Sequence, residues 1–321
     1  MICLNLLMQY MIINNNINNL IKYLKEYIAF LQYERRLSQN TLKSYQYDLN
    51  VYLNYLFEEL NINNITKIKL SHINKFVLFI TSNKEKSRSF KSSTLHRIYS
   101  SIRGFHNYLI QFNIIDLDPS DTLIPPRMIK KIPNTLTVEE IELIINSIDI
   151  NKKMALRDKA IISLLYASGI RVSELINLKI QNITLNDGFI RVLGKGNKER
   201  IVPIGLFACK TINIYITKIR AKLINIGKSD GFIFLNIKGN KLSRMAIWNI
   251  INENAVRSGI TKKVNPHIFR HSFATHLLEG GADLRTVQSM LGHSDITTTQ
   301  IYTNTDKIYL KEIHKQFHPK G

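Results

Sequence analysis

FIRVLGKGNKERIVPIG, Phe189 to Gly205, interrupts a chain that otherwise reads as helix. Its two apolar arms flank a Gly-Lys-Gly-Asn turn, which predicts a β-hairpin with Lys195 at its tip. Outward from the hairpin the apolar spacing is helical. Upstream lie LTVEEIELIINSI, where Thr137 and Glu140 have capping-box spacing, then LRDKAIISLLYASG and RVSELINL. Downstream lie LFACKTINIYITKIRAKLINI, SRMAIWNIINENAVRSG and NPHIFRHSFATHLL, the last closed by Gly280 and Gly281. Asp283 then caps LRTVQSMLGH, and a final helical stretch carries Tyr302. One small sheet among many helices makes the fold mainly α, with an α+β domain over residues 135–321.

Further upstream the pattern breaks. DLDPSDTLIPPRMIKKIPN, residues 116–134, holds Pro119, Pro125, Pro126 and Pro133 without periodicity and reads as an extended linker. Before it, residues 18–115 carry four helical runs: IKYLKEYIAFLQYERR, QNTLKSYQYDLNVYLNYLFEEL after a Ser38 cap, LSHINKFVLFITS and SSTLHRIYSSIRGFHNYLIQF. Arg97 and Arg103 interleave with aromatic residues in the fourth, which suits a small DNA-gripping bundle whose aromatics form its core. Residues 1–17 read as an N-terminal extension, with Met8 and Met11 offering later starts and no basic segment to make a signal peptide.

With 321 residues and 45% hydrophobic content, the chain has material for two cores. Its net charge of +20 and pI near 9.8 call for an acidic polymeric partner, nucleic acid first. Part of that charge is a general drift toward Lys, Asn and Ile. Cys3 and Cys209 are too few for a disulfide framework or a cysteine-rich zinc site, which suits a reducing cytoplasm. No apolar run reaches the length of a membrane span.

NPHIFRHSFATHLL, Asn265 to Leu278, concentrates three histidines and an arginine. His267 and His271 have the spacing of a zinc-chelating pair, but Ile268 stands where a metalloprotease helix has glutamate. Arg270 between them repels a dication and donates hydrogen bonds where ligands must accept. The same face, with His267 and Arg270 three apart, suits an anion. His271 and His276 read as structural. In YASGIRVSEL, Arg171 opens a helix, and Glu174 either orients its guanidinium or forms a plain surface ion pair. Lys195 lies in no nucleotide-binding loop, since Gly188 is one residue too far from Gly194 and Gly196 replaces the required Ser or Thr. LGHSDITTTQIYT adds His293 and Tyr302.

The ordered set Arg171, Lys195, His267, Arg270, His293 and Tyr302 resembles the tyrosine site-specific recombinases of the phage integrase family, in their Xer branch. YASGIRVSEL, LGKGNKERIVPIG, HIFRHSFATHLL and LGHSDITTTQIYT look like that family's signatures. The resemblance implies a two-domain DNA clamp, a SAM-like helical core-binding domain joined to a catalytic domain. It implies that Tyr302 attacks a scissile phosphate to give a 3′-phosphotyrosyl intermediate, with Arg171, Arg270 and His293 on the non-bridging oxygens. His267 would handle the tyrosine proton, Lys195 would protonate the leaving 5′-oxygen, and Glu174 would support Arg171. Arg97, Arg103, Lys198 and Arg200 are the expected DNA contacts. No metal or other cofactor is implied, because the covalent bond conserves the phosphodiester energy.

Among partners the resemblance implies a double-stranded recombination site and a XerC-like recombinase in a heterotetramer. It also implies an FtsK-like DNA translocase as activator, resolving chromosome dimers at cell division. The last helix would dock into a neighbouring subunit. Phage or mobile-element integrase, a type IB-like topoisomerase and a non-enzymatic DNA binder are the alternatives.

Overall fold

The computed structural model describes residues 19–82, 90–125, 135–194, 198–292 and 304–321. The extension at residues 1–17, and Lys195, His293 and Tyr302, lie outside them. The chain divides into two compact units, Met1–Lys131 and Ile132–Gly321.

The first unit consists of α1 (residues 19–33), α2 (Gln39–Glu58), α3 (Leu70–Ser82) and α4 (Ser92–Gln111). Ser38 caps α2 by accepting the Thr41 backbone N–H. Leu42, Leu49, Leu53 and Leu56 recur at helical spacing on the face that α2 buries. Tyr52 sits edge-on to Phe76 and places its hydroxyl 3.1 Å from His106 Nε2, so the buried phenol keeps a polar partner. His106 is thus a core residue, and burial lowers its pKa to about 4.

The second unit is built around α6 (Ala155–Ser168), whose residues from Ala160 to Ser168 are buried on every side. A helix apolar all round belongs at a domain centre. Around it lie α5 (Val138–Asn146), α7 (Val172–Asn177), α8 (Leu206–Tyr215) and α10 (Arg244–Arg257). A π turn at Ile216–Arg220 prolongs α8 into α9 (Ala221–Leu223). Thr137 and Glu140 form the capping box that opens α5.

The hairpin is present as β2 (Phe189–Leu193) and β3 (Glu199–Pro203), paired antiparallel with Ile190 opposite Val202 and Val192 opposite Arg200. A third strand, β1 (Ile183–Thr184), adds to β2. Its two residues are too few to show a period of two, so sequence patterning does not reveal it.

Three helices complete the unit: α11 (Pro266–Gly280), α12 (Leu284–Leu291) and α13 (Asn304–Phe317). Asn265 caps α11 through the amides of His267 and Ile268, and Asp283 caps α12 through that of Thr286. Phe273, Leu277, Val287, Met290 and Leu310 form their shared core. Here α13 is seated in its own domain, where His314 Nε2 donates to the Ala167 carbonyl at 2.7 Å and Leu310 is buried. The reason is local: α6 and α11 offer an apolar seat within reach of the tail. Among the described residues no helix is long and apolar enough to cross a membrane.

Candidate functional site

The site grows from the turn between α6 and α7. Gly169 ends α6 at φ 58°, and a Cβ there would strike the Phe273 ring. This left-handed residue turns the chain so that Arg171 opens α7. Arg171 donates its backbone N–H to Glu174 Oε2 at 2.7 Å and its Nη1 to Oε1 at 3.1 Å. Its side chain remains 38% exposed, free to meet a ligand.

Glu174 is buried, with its side chain 4% exposed. Burial works to raise its pKa, but hydrogen bonds and charge from Arg200, and then from Arg171, outweigh this. The carboxyl is held below its ordinary range and stays ionised.

Arg200 corrects an expectation. It was to contact DNA, yet only 5% of the residue is exposed. It donates Nη1 and Nη2 to the two Glu174 oxygens at 2.9 and 2.8 Å, and Nε to the Met290 carbonyl at 2.8 Å. The physical reason is strand alternation: Arg200 shares the inward face of β3 with Val202.

Arg270 approaches from α11. Its Nη1 donates to the Gly169 carbonyl at 2.8 Å and its Nη2 to the Leu291 carbonyl at 2.7 Å. Desolvation first, and then the charges of Arg171 and Arg200, lower its pKa to about 10, so it remains cationic near neutrality. His267, one turn earlier on α11, is exposed. Partial desolvation and the neighbouring His271, Arg270 and Arg171 push its pKa down, which favours a neutral imidazole able to accept a proton.

Two guanidiniums, Arg171 and Arg200, therefore hold one carboxylate while Arg270 is held nearby by the Gly169 and Leu291 carbonyls, a surplus of positive charge suited to a phosphate. Of the sequence candidates, Arg171, Glu174, His267 and Arg270 come together, and Arg200 joins them from beneath. Among the described residues no cluster of three or more His, Cys, Asp or Glu could hold a metal. Lys198 is exposed at the turn end of the hairpin, just before β3, where its carbonyl accepts the Gly194 N–H at 2.8 Å. In the first unit Arg103 is exposed, whereas Arg97 is paired with Asp48.

The phage integrase family model matches residues 134–308, and the phage integrase N-terminal SAM-like domain matches residues 24–113. Tyrosine recombinase XerD of Staphylococcus aureus is 42% identical over 298 residues, covering 93% of this chain and 99% of the relative. XerD of Chlorobaculum tepidum is 42% identical over 308 residues, covering 94% and 97%. A structure of the XerH site-specific recombinase bound to its difH substrate, a pre-cleavage complex, superposes with TM-score 0.63 at 26% identity, covering 84% and 78%. Lambda integrase bound to DNA shares the fold, with TM-score 0.64 at 17% identity over 90% of this chain and 96% of that one.

The chain belongs to the phage integrase family, the tyrosine recombinases. Within that family it is a XerD-type site-specific recombinase, an enzyme that cleaves and rejoins DNA.

Proposed function

We propose that Tyr302 is the nucleophile and that Arg171, Lys195, His267, Arg270 and His293 are its catalytic partners, with Glu174 in support. The Tyr302 hydroxyl attacks the scissile phosphorus, forming a 3′-phosphotyrosyl bond as the bond to the 5′-oxygen breaks. His267 takes the phenolic proton, and Lys195 gives a proton to the departing 5′-oxygen. Arg171, Arg270 and His293 neutralise the charge that builds on the non-bridging oxygens. Attack by the 5′-hydroxyl of a partner strand reverses the step and reseals the backbone.

The observation that supports this reading is the meeting of Arg171 and Arg270, 99 residues apart, around Glu174 and the end of α12. We assign DNA gripping to residues 18–115, linkage to 116–134 and catalysis to 135–321. The chain would act in the cytoplasm with a XerC-like recombinase in a heterotetramer, activated by an FtsK-like DNA translocase, to resolve chromosome dimers at cell division. In that assembly α13 would exchange its seat in this domain for the same seat on a neighbour.

Incubation with a nicked suicide recombination site tests the chemistry. The unaltered protein traps a covalent adduct that survives a denaturing gel, and Tyr302→Phe traps none while keeping its affinity for DNA. An adduct at normal yield from Tyr302→Phe removes Tyr302 from the role.

A further inference from the structure

We propose that Arg200 is a positioning residue, which locks the hairpin, the Arg171–Glu174 pair and the end of α12 into one block. The inference rests on reading Arg171 and Arg270 as the phosphate clamp.

Arg200 sits opposite Val192 in the ladder, on a sheet face that otherwise buries Ile190, Val192 and Val202. A guanidinium in such a place is costly unless its donors are satisfied. Here Nε, Nη1 and Nη2 each have an acceptor, and the acceptors are not interchangeable. The fork fixes both oxygens of Glu174, and each oxygen accepts one further hydrogen bond from Arg171. Arg200 therefore sets the plane in which Glu174 presents itself to Arg171.

The remaining nitrogen acts on another element. Met290 O is held by Arg200, and the next carbonyl, Leu291 O, is held by Arg270. Two cations thus close the negative end of α12, where the helix dipole favours them. Gly292 follows in the left-handed region at φ 68°, and a Cβ on it would come within 3.0 Å of Arg200 Cδ and Nη1. Gly292 itself, the residue before His293 in sequence, lies directly on the Arg200 side chain. Lysine carries the charge but not the planar fork, so it cannot hold Glu174 and Met290 together.

Single-turnover cleavage of the nicked site, DNA affinity and thermal unfolding of the full chain test the proposal. For Arg200→Lys, cleavage is expected to fall about 100-fold while affinity changes by no more than about twofold, as for a misplaced catalytic group. Arg200→Met adds a signature that mere structural support would not give. Without the Arg200 charge, burial governs Glu174 and its pKa rises, so cleavage falls off at a higher pH on the acid side. Adding Glu174→Gln to Arg200→Met removes that new acid limb.

Wild-type cleavage by Arg200→Lys, or an unmoved pH profile in Arg200→Met, overturns the proposal. So does a cleavage loss matched by an equal loss of affinity or accounted for by unfolding. If Arg200→Met does not fold, the Arg200→Lys rate against its unfolding midpoint decides. The adduct assay on Tyr302→Phe is independent: an adduct there overturns the reading of the site itself, whereas its absence beside a wild-type rate for Arg200→Lys overturns only the positioning role.

Discussion

Arg97 on α4 and Asp48 on α2 form a two-point pair, Nε to Oδ2 at 2.9 Å and Nη2 to Oδ1 at 3.0 Å. The Asp48 side chain is 1% exposed, and its burial raises the carboxyl's pKa against the opposing hydrogen bond and charge of Arg97. Arg97, expected from sequence to touch DNA, thus has a structural task in the bundle. Arg97→Ala strands a buried carboxylate, so it is expected to destabilise the first unit by about 2 kcal/mol. Thermal unfolding alongside a DNA titration checks this. Unchanged stability with lost affinity would assign Arg97 to DNA alone.

Arg270 spans the Gly169 and Leu291 carbonyls, so its fork is placed before any ligand arrives. Arg270→Ala is expected to lower single-turnover cleavage by roughly 100- to 1000-fold, with a smaller loss of binding, as for removal of a preorganised donor. Equal losses in rate and affinity would reduce Arg270 to a residue that positions DNA.

What was legible in the sequence follows from how locally each feature is determined. The two hairpin strands and the caps at Ser38, Thr137 and Asp283 rest on residues within a few positions of one another, and the structure shows them as read. Glu174, read either as orienting Arg171 or as a surface ion pair, is buried against Arg171 and Arg200, contacts that local sequence does not reveal. Arg200, expected on DNA, instead follows the strand alternation that places it with Val202 on the inward face. The burial of His314 and His318 was not legible at all. Their four-residue spacing puts His314 on α13 and His318 just past its end on the same side, but only tertiary contact with Tyr166 and Phe273 determines that this side is covered.

Exposed cations should behave differently from these paired ones. Arg103 and Lys198 are exposed, and the chain carries a net charge of +20. If each neutralises one phosphate, Arg103→Ala and Lys198→Ala should each reduce the slope of log affinity against log salt by about 0.9, uniformly across DNA sequences. Fluorescence anisotropy over a salt series measures that slope. A loss confined to one DNA sequence would indicate base reading instead.

The seat of the C-terminal helix should respond to acid. The His314 and His318 rings stack at 4.6 Å and 11°, and His318 also lies 4.6 Å from the Tyr166 ring. Burial lowers the His314 pKa to about 4, although its hydrogen bond to Ala167 works the other way. His318 is pushed down by burial and then by His314, with His276 and Lys320 adding to it. The other charged groups facing this cluster are Glu139 and Glu142, which act on Tyr166, and Glu279, which acts on His276. Both rings are neutral when folded and titrate near 6.5 when unfolded, so their contribution is full above that pH. It is lost as pH falls from 6.5 toward the folded values, because the unfolded chain then binds protons that the folded one refuses. For His314 alone the loss is on the order of 2 kcal/mol at pH 5. Urea unfolding at pH 7 and pH 5, with proteolysis of the tail as the local probe, should show the second unit weakening and α13 becoming cleavable. His106 loads the first unit in the same sense, so the tail's proteolysis is the discriminating readout. A tail equally protected at both pH values would show that the two imidazoles do not control its seat.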